Sequence, residues 1–288
     1  MIIIQSRGGL GNQMFQYAFA LATARKLNTL FALDKMDMKD ELYFFKGPST
    51  HFFYRFKKLL HPRIYRILLF GIAYSLNLFK KYPDIEFDNW LTPEQNLPKL
   101  HPHGYYLGYF QAFAYFKAYQ HEVKKAFQLK SQHIQAFRRD YQHLFDHHKI
   151  IAVHIRRGDY LDIYNPRLGE SNLSLPLEYY HKALQSIENQ QDYKVIFVSN
   201  EPEFVKKEFG EQAHFIFAKN SALIDFQIIQ NADIAIIANS TFAWWAAFLN
   251  PKPEKRVFAP QYWLGFKISE EYPKHILQDL DYIQYLVV

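Results

Sequence analysis

The stretch KIIAVHIRRGDY, residues 149–160, carries an apolar run directly into two arginines, a glycine and an aspartate. Such an uninterrupted apolar run is typical of a parallel strand that is buried on both faces. Comparable runs follow at residues 193–199, 214–218, 233–238 and 256–259. The segments between these runs have apolar residues at helical spacing, at residues 176–188, 202–209, 222–231 and 241–249. This alternation predicts a doubly wound parallel sheet covered by helices.

The start of the chain has the same organisation on a smaller scale. A strand at residues 2–5, a glycine-rich turn, a helix from Asn12 to about Leu27 and a strand at residues 29–33 form a predicted β-α-β unit. Further elements are predicted for the strand 105–110 and the helices 114–127 and 131–145. The polar run DHHK that follows marks the boundary between two Rossmann-like α/β domains, residues 1–146 and 147–288. We expect their parallel sheets to face each other across a ligand cleft.

The composition excludes several kinds of site. The 288-residue chain has no cysteine, which excludes disulfides, zinc-thiolate sites, iron-sulfur clusters and thiol nucleophiles. The start MIIIQSRGG has no basic leader followed by an apolar stretch, so no signal peptide is predicted. The longest apolar run, residues 67–79, is shorter than the roughly 20 residues that a membrane helix needs. We expect a cytoplasmic protein that is soluble or peripherally bound at the inner face of the membrane.

The net charge of +6 is concentrated in one segment. Residues 42–83, the basic segment, hold eight Lys or Arg and no Asp or Glu. Apolar side chains in it interleave with the basic residues Arg55, Lys57, Lys58, Arg63 and Arg66. This pattern has two interpretations, a helix that packs on its own domain and a helix that contacts an anionic membrane. The rest of the chain is nearly neutral, and no nucleic-acid partner is predicted.

The first motif that could carry chemistry is RGGLGNQ, residues 7–13, between a predicted strand and a helix. Glycines there let the backbone approach a phosphate, and the N–H groups of the helix start carry partial positive charge. The motif is therefore a candidate anion site. It also resembles a dinucleotide-binding turn, with Asp34 where a ribose-binding acid stands, but Met14 replaces the third glycine. A plain structural turn is the third interpretation.

The second motif is HIRRGDY, residues 154–160, at the carboxyl end of the best-predicted strand. Open α/β sheets bind ligands at this edge, and a guanidinium can bind phosphate oxygens through two hydrogen bonds. Because Arg156 and Arg157 are adjacent, they cannot point the same way. We expect one of them to face a ligand and the other to pair with a carboxylate such as Asp159.

The third motif is ANSTFAWWAAFLN, residues 238–250, where a strand runs into a helix through Asn239, Ser240 and Thr241. Hydroxyls at that position cap a helix, and with the free N–H groups they also form a phosphate cradle. The two tryptophans are expected to pack in the core rather than to bind sugar. Ser199 ends a further strand on the same rim, and Asp225 lies one helix upstream, where a carboxylate could bind the guanine edge.

Taken together, these motifs resemble the bacterial alpha-1,2-fucosyltransferases of glycosyltransferase family 11. The segments that carry the resemblance are GGLGNQMFQYAFA, YYLGYFQ, VHIRRGDY and IANSTFAWWAAFLNP, which span both predicted domains. The resemblance implies a GT-B-type fold, GDP-L-fucose as donor and a terminal galactose of a glycan as acceptor. It also implies an inverting mechanism that requires no metal ion and no other cofactor.

The resemblance also implies roles for the matching residues. Arg156 binds the donor diphosphate, His154 contacts the guanosine side, and Asp225 is the guanine-binding acid. The N-terminal domain is the acceptor side, with its glycine loop facing the donor. The catalytic candidates are Arg156, Asn12 and Asp159. The donor-binding candidates are Gly9, Gly11, Asn12, His154, Arg156, Ser199, Asp225, Asn239, Ser240, Thr241 and Phe242, the last through its backbone N–H alone. The family often has acidic residues after the strand that ends in Ser199, whereas this chain reads Ser-Asn-Glu-Pro, so no role is transferred to Asn200 or Glu201.

Several alternatives stay open at this point. The base that removes the acceptor proton is sought among Asp159, Asp162 and Glu170, or is not needed at all. A fucosyltransferase of another linkage, donor or acceptor has the same motifs. A nicotinamide-dependent oxidoreductase or a non-catalytic binding module are more distant alternatives. If the basic segment contacts a membrane, a lipid-linked glycan is the expected acceptor.

Overall fold

The computed structural model describes residues 1–35, 41–76 and 83–286, and its contacts divide the chain into two compact units. The first unit comprises Met1–Lys130 and Pro273–Asp279, and the second comprises Ser131–Tyr272 and Leu280–Val288. The division therefore falls before residue 131 rather than at the predicted boundary after residue 146. The chain also returns to the first unit near its end, which the sequence did not indicate.

The first unit is built on a four-stranded parallel sheet of order β2-β1-β4-β3. The strands are β1 (Ile2–Ser6), β2 (Phe31–Lys35), β3 (Asp84–Glu86) and β4 (Gly104–Leu107). The helices are α1 (Leu10–Lys26), α2 (Lys46–Thr50), α3 (Phe52–Leu59), α4 (Pro62–Leu76), α5 (Pro93–Asn96) and α6 (Gln120–Ala126). Helix α1 is buried on nearly all sides because small and apolar residues surround its axis.

The second unit is built on a six-stranded parallel sheet of order β12-β11-β10-β5-β8-β9. Its strands are β5 (Lys149–Ile155), β8 (Tyr193–Ser199), β9 (Phe215–Phe217), β10 (Ile234–Ile236), β11 (Arg256–Pro260) and β12 (Ile283–Leu286), and β6 (Tyr164–Asn165) pairs with β7 (Glu170–Ser171) in a separate hairpin. Its helices are α7 (Ser131–His147), α8 (Asp159–Asp162), α9 (Leu177–Gln185), α10 (Pro202–Phe209), α11 (Ala222–Asn231) and α12 (Thr241–Phe248).

Strand β5 lies in the middle of the second sheet, between β8 and β10. Every residue of β5 after Lys149 is buried, as the apolar run predicts, and Ile151 and Val153 pack in a core with residues of α9. The carboxyl ends of β8, β5 and β10 consequently meet at one edge of the sheet. The predicted α/β class with parallel sheets is confirmed.

Helix α7 explains why the boundary differs from the predicted one. It packs against α11, where the Gln227 side-chain amide donates to the His133 carbonyl at 3.2 Å and the Asn220 amide donates to the Tyr141 hydroxyl at 2.7 Å. These contacts assign the helix to the second sheet although it precedes β5 in the chain. These contacts could not be predicted from the sequence because they join residues that are far apart along the chain.

Other elements differ from their predicted bounds. The strand predicted for residues 105–110 ends at Leu107, since Gly108 and Phe110 have φ angles of +157° and +54° that leave the extended region. The Phe110 ring instead stacks on Phe19 at 3.9 Å between ring centroids. The helix predicted for residues 114–127 is two 3₁₀ turns followed by α6. Among the described residues, no helix is both long and apolar enough to cross a membrane.

Candidate functional site

Two of the predicted site residues, His154 and Arg156, lie at the carboxyl end of β5. His154 is buried, and its backbone carbonyl accepts a hydrogen bond from the Ala238 N–H at 3.1 Å, which ties β5 to the segment after β10. Burial, and to a smaller extent the charge of Arg156, lowers the pKa of His154 to about 3. The imidazole is therefore neutral at physiological pH. A neutral imidazole offers one N–H donor and one nitrogen acceptor to a ligand.

The first arginine of the motif forms an ion pair with the aspartate three residues later. The Nη2 atom of Arg156 lies 2.7 Å from Oδ1 of Asp159, and its guanidinium carbon lies 5.4 Å from the centre of the Tyr160 ring. The Ser174 hydroxyl donates to the Arg156 carbonyl at 2.9 Å, which fixes the backbone at this residue. Asp159, predicted as a catalytic residue, thus orients Arg156 in this structure.

The second arginine is held by residues from the loop after β8. The Nε atom of Arg157 donates to Glu201 at 2.8 Å, and its guanidinium lies 3.7 Å from the centre of the Phe204 ring. The other Glu201 oxygen accepts from the Gly158 N–H at 3.0 Å, and the Asn200 side chain accepts from the Arg157 N–H at 3.0 Å. The partner of Arg157 is therefore Glu201 and not Asp159.

Asn200 and Glu201 are functional candidates to which the sequence assigned no role. Ser199 contributes to their placement, because its hydroxyl accepts from the Glu201 N–H at 3.0 Å. Gly158 is required at the centre of this arrangement, since its φ is +54° and a Cβ there would lie 2.1 Å from the Asn200 amide nitrogen. In the sequence, Asn200 and Glu201 directly follow an apolar run that predicts a strand. The pairing of that strand, β8, with β5 brings both strand ends to one edge of the sheet.

The turn between β10 and α12 brings the third motif to the same edge. Asn239 is buried, and its side-chain amide donates to the Leu173 carbonyl at 2.9 Å. Ser240 is the residue before the helix, and its hydroxyl makes no capping hydrogen bond to α12. Thr241 begins the helix. Trp244 and Trp245 behind them are buried in the core, as predicted.

Three buried polar atoms at this edge have no hydrogen-bond partner among the described residues. They are Nδ1 of His154, Nε of Arg156 and Oδ1 of Asn239. An unsatisfied buried polar atom costs about 1–3 kcal/mol, so such atoms need an explanation where they gather. Because β5 and β10 are neighbouring strands, all three stand where an open α/β sheet binds its ligand.

Asp225 lies in the first turn of α11, and one of its carboxylate oxygens accepts from the Asn220 amide at 3.2 Å. Burial raises its pKa to about 6. Phe242 of α12 lies 5.4 Å from Phe226 of α11 and 5.8 Å from the His154 imidazole, measured between ring centroids. This aromatic contact joins the Asp225 helix to the end of β5.

The glycine turn of the first unit, between β1 and α1, is hydrogen-bonded to side chains of the same unit. Gly8 has a φ of +81°, and a Cβ there would lie 2.3 Å from the Asn12 amide nitrogen, so the turn requires this glycine. Gly9 precedes α1, which begins at Leu10 and includes Gly11. The Asn12 side-chain oxygen accepts from Gln111 at 2.7 Å, and Gln16 makes hydrogen bonds to both backbone groups of Arg7. The turn is held by the unit's own side chains.

Asp34, considered above as a ribose-binding acid, is engaged inside the first unit. It is completely buried, lies 3.1 Å from Nε of Arg66 and accepts from the Tyr105 hydroxyl at 2.8 Å. Met14 is also buried in the core. The acid of the dinucleotide interpretation therefore anchors helix α4 through Arg66, and only its Oδ1 has no hydrogen-bond partner among the described residues.

Two further features concern ligands. Within the described part of the chain, no three His, Asp or Glu side chains are grouped to hold a metal ion.

A pocket of about 770 Å³ lies in the first unit and is lined by residues that include Tyr17, Arg25, Lys46, His51 and Glu122. None of the predicted site residues lines this pocket.

Comparisons with known proteins agree with the resemblance of the motifs. Residues 1–263 match the family described as Glycosyl transferase family 11. An Escherichia coli protein named O-antigen biosynthesis glycosyltransferase WbnK is 30% identical over 295 residues, covering 90% of this chain and 93% of that protein. An Escherichia coli protein named alpha-1,2-colitosyltransferase is 25% identical over 282 residues, covering 91% and 92%. The crystal structure of NodZ alpha-1,6-fucosyltransferase soaked with GDP-fucose has a similar fold, with a TM-score of 0.50 and 15% identity over 87% of this chain and 92% of that chain.

Proposed function

The chain belongs to glycosyltransferase family 11, and we propose that it transfers L-fucose from GDP-β-L-fucose to the 2-hydroxyl of a terminal β-galactose. The product is an alpha-1,2-linked fucose on a glycan, formed with inversion at the anomeric carbon. The oxidoreductase alternative is wrong, since the family transfers glycosyl groups. The GT-B-type architecture of Rossmann-like α/β units with parallel sheets agrees with this membership.

The observation that supports the donor best is the group of buried polar atoms on His154, Arg156 and Asn239 that have no hydrogen-bond partner within residues 1–35, 41–76 and 83–286. Arg156 offers N–H donors to diphosphate oxygens, and the start of α12 offers further N–H groups with the hydroxyls of Ser240 and Thr241. We assign the guanosine side to the neutral His154. Asp225, when ionised, is a suitable acceptor for the two adjacent N–H groups of the guanine edge.

The reaction breaks the bond between the anomeric carbon and the diphosphate oxygen through an oxocarbenium-like state. Negative charge grows on the GDP oxygens as this bond breaks. Fixed donors around the diphosphate therefore stabilise the transition state more than the bound substrate. The site residues supply such donors themselves, and we propose that no metal ion is required. The donor-facing role of Gly9, Gly11 and Asn12 in the first unit stays a prediction.

A base that removes the proton of the acceptor hydroxyl assists this reaction. The ion pair with Arg156 leaves Asp159 exposed but engaged. For Asp159 to accept the acceptor proton, this pair has to open when the diphosphate takes over the guanidinium. We propose this exchange of partners as the step that frees the Asp159 carboxylate, because a phosphate competes directly for the same N–H donors.

A related donor is the second candidate. One relative of this chain is named an alpha-1,2-colitosyltransferase, so a GDP-linked colitosyl donor is the second candidate for the same site. The guanosine and diphosphate contacts would be the same for either sugar. The two donors differ only in the contacts of the sugar ring.

A product assay tests the proposal. Purified protein is incubated with GDP-fucose, lactose and EDTA, GDP release is measured, and the new linkage is determined by NMR. We expect one fucose alpha-linked to O2 of galactose for each GDP released, with no loss of rate in EDTA. Transfer to another hydroxyl, or no transfer to any β-galactoside by a folded protein that binds GDP, would contradict the proposed acceptor. A protein that binds no GDP would contradict the donor.

A further inference from the structure

Helix α4 of the first unit has two apolar faces. One face is buried, with Tyr65, Leu69 and Ala73 packed in a core that contains Met1 and Ile3 of the sheet. These three residues recur at four-residue intervals, which is the ordinary pattern of a helix that packs on its own domain. The interpretation of the basic segment as a helix docked on its own domain is therefore correct for this face.

A second, adjoining face of α4 is apolar as well, although it is exposed to solvent. Ile64, Ile67, Leu68 and Ile72 follow one another at helical spacing, and Ile67 and Ile64 are 72% and 50% exposed. Leu59, at the end of α3, is 79% exposed. Single exposed apolar residues are common, but a contiguous stripe of branched aliphatic side chains marks a surface for another apolar partner.

The helix is held so that this stripe cannot turn inward. Arg66 forms an ion pair with the completely buried Asp34, at 3.1 Å. The Tyr65 hydroxyl donates to the Leu33 carbonyl at 3.3 Å on the same side. Because Asp34 and Leu33 both belong to strand β2, these contacts orient the helix with Ile64 and Ile67 toward solvent.

The charge around the stripe identifies its partner. The basic segment holds eight Lys or Arg and no Asp or Glu. Arg63 of α4 and Arg55 of α3 are exposed, whereas Arg66 is already paired with Asp34. A second copy of this chain would bring the same positive charges face to face, which disfavours a symmetric dimer here. An anionic lipid surface supplies both negative charge and an apolar layer.

We infer that helices α3 and α4 form a membrane-docking surface that binds the interface of an anionic lipid bilayer. The branched aliphatic side chains of α4 enter the acyl boundary, and the arginines contact the lipid headgroups. This is an interfacial attachment and not a membrane span. The binding does not depend on the proposed function. Its consequence for catalysis, access to a lipid-linked acceptor, does rest on that function.

Vesicle sedimentation of the full-length protein tests this inference. The vesicles are made of phosphatidylcholine alone or of phosphatidylcholine with phosphatidylglycerol, at low and at high salt. We expect the protein to sediment with the anionic vesicles at low salt, to bind less at high salt, and to stay in solution with the neutral vesicles. Absence of sedimentation with anionic vesicles at low salt would overturn the inference.

Two pairs of substitutions separate the apolar from the ionic contribution. Ile64→Ser with Ile67→Ser is expected to lower vesicle binding by at least roughly tenfold, because about 1.4 kcal/mol of lost apolar transfer is a factor of ten. Arg55→Gln with Arg63→Gln is expected to lower it by roughly fivefold for each arginine. All four side chains are exposed, so the thermal unfolding midpoint and GDP release from GDP-fucose with soluble lactose should not change.

Matched controls lie outside the segment. Leu30→Ser replaces an apolar side chain that is 56% exposed in the same unit, and Arg138→Gln replaces an exposed helical arginine of the second unit. Neither should alter vesicle binding. Equal binding by the double serine variant and the unaltered protein would overturn the proposed surface. So would a dimer, detected by sedimentation velocity without vesicles, that the serine substitutions dissociate.

Discussion

Each unit of the chain has a turn that connects a strand to a long or buried helix. The two turns differ in whether their buried polar groups are hydrogen-bonded. In the first unit, side chains from the same unit satisfy the turn between β1 and α1, with Gln16 bonded to Arg7 and Gln111 bonded to Asn12. In the second unit, the edge formed by β5 and β10 leaves buried atoms of His154, Arg156 and Asn239 without a hydrogen-bond partner in the part of the chain that the structure describes.

This difference indicates which unit binds the charged part of a ligand. A turn whose polar groups are already hydrogen-bonded gains little binding free energy from a phosphate. Buried polar atoms without a partner gain a hydrogen bond when a ligand supplies one. Both turns have the form that suits an anion, a strand followed by a helix start. The distinguishing property is therefore the state of the surrounding side chains and not the shape of the backbone.

The largest loss of catalytic rate is expected from substitution of Arg156. Replacing it with alanine should lower kcat at least roughly a hundredfold, since loss of one preorganised donor costs about 2.7–4 kcal/mol of barrier. The matched residue of the first unit is Arg7, whose guanidinium lies over the Tyr109 ring at 4.5 Å. Arg7→Ala should leave kcat nearly unchanged. Steady-state kinetics with GDP-fucose measures both, and equal losses would remove the distinction between the two turns.

A second effect concerns Asp225 and pH. Its pKa in the free protein is raised to about 6 by burial, and hydrogen bonds from guanine would favour the ionised form. The contribution of Asp225 to GDP affinity should therefore be constant well above pH 6 and fall as the pH drops below it. Asp225→Asn should weaken GDP binding by roughly ten- to a hundredfold, since hydrogen bonds to charged groups are worth about 1.5–3 kcal/mol.

Titration calorimetry of GDP between pH 5 and pH 8 checks this prediction. The Asn variant should lose the contribution of Asp225 and keep only the dependence that comes from the terminal phosphate of GDP, which itself titrates near pH 6. A pH profile that persists unchanged in Asp225→Asn would assign the dependence to another group and remove Asp225 from the guanine site.

A smaller effect is expected at Asn12 of the first unit. Asn12→Ala should lower kcat by about threefold to tenfold, because a neutral amide hydrogen bond contributes about 0.5–1.5 kcal/mol. Gln111 would also lose the acceptor that it has in Asn12. The same kinetic assay checks this value. A loss of kcat as large as that of Arg156→Ala would mean that both turns contribute equally to catalysis, which would contradict the comparison.

The smallest effect on rate is expected at Glu201, which holds Arg157 and the Gly158 N–H. Both members of the ion pair are partly exposed, so the pair is worth about 1 kcal/mol or less. Glu201→Gln should lower the thermal unfolding midpoint by at most about 2–4 °C. Differential scanning calorimetry measures this shift, and kcat should change much less than in Arg156→Ala. A rate loss without any loss of stability would assign Glu201 a direct role instead.

The sequence was informative where burial alone decides structure. Strands β5 and β8 are apolar along their length, and their ends correctly indicated one rim for His154, Arg156 and Ser199. The short strands β3 and β12 were not predicted, because they are only partly buried and have no apolar run. The partner of Arg157 could not be predicted either. Glu201 lies 44 residues away along the chain, and only the pairing of β5 with β8 brings the two together.

Hydrogen–deuterium exchange with and without GDP is the most direct test of where the nucleotide binds. Amides that a ligand contacts or rigidifies exchange more slowly. We predict strong protection by GDP in peptides covering residues 154–162 and 238–248 of the second unit, and much weaker protection in residues 7–16 of the first. Protection confined to residues 7–16, or no protection in the second unit at saturating GDP, would contradict the placement of the donor at the ends of β5 and β10.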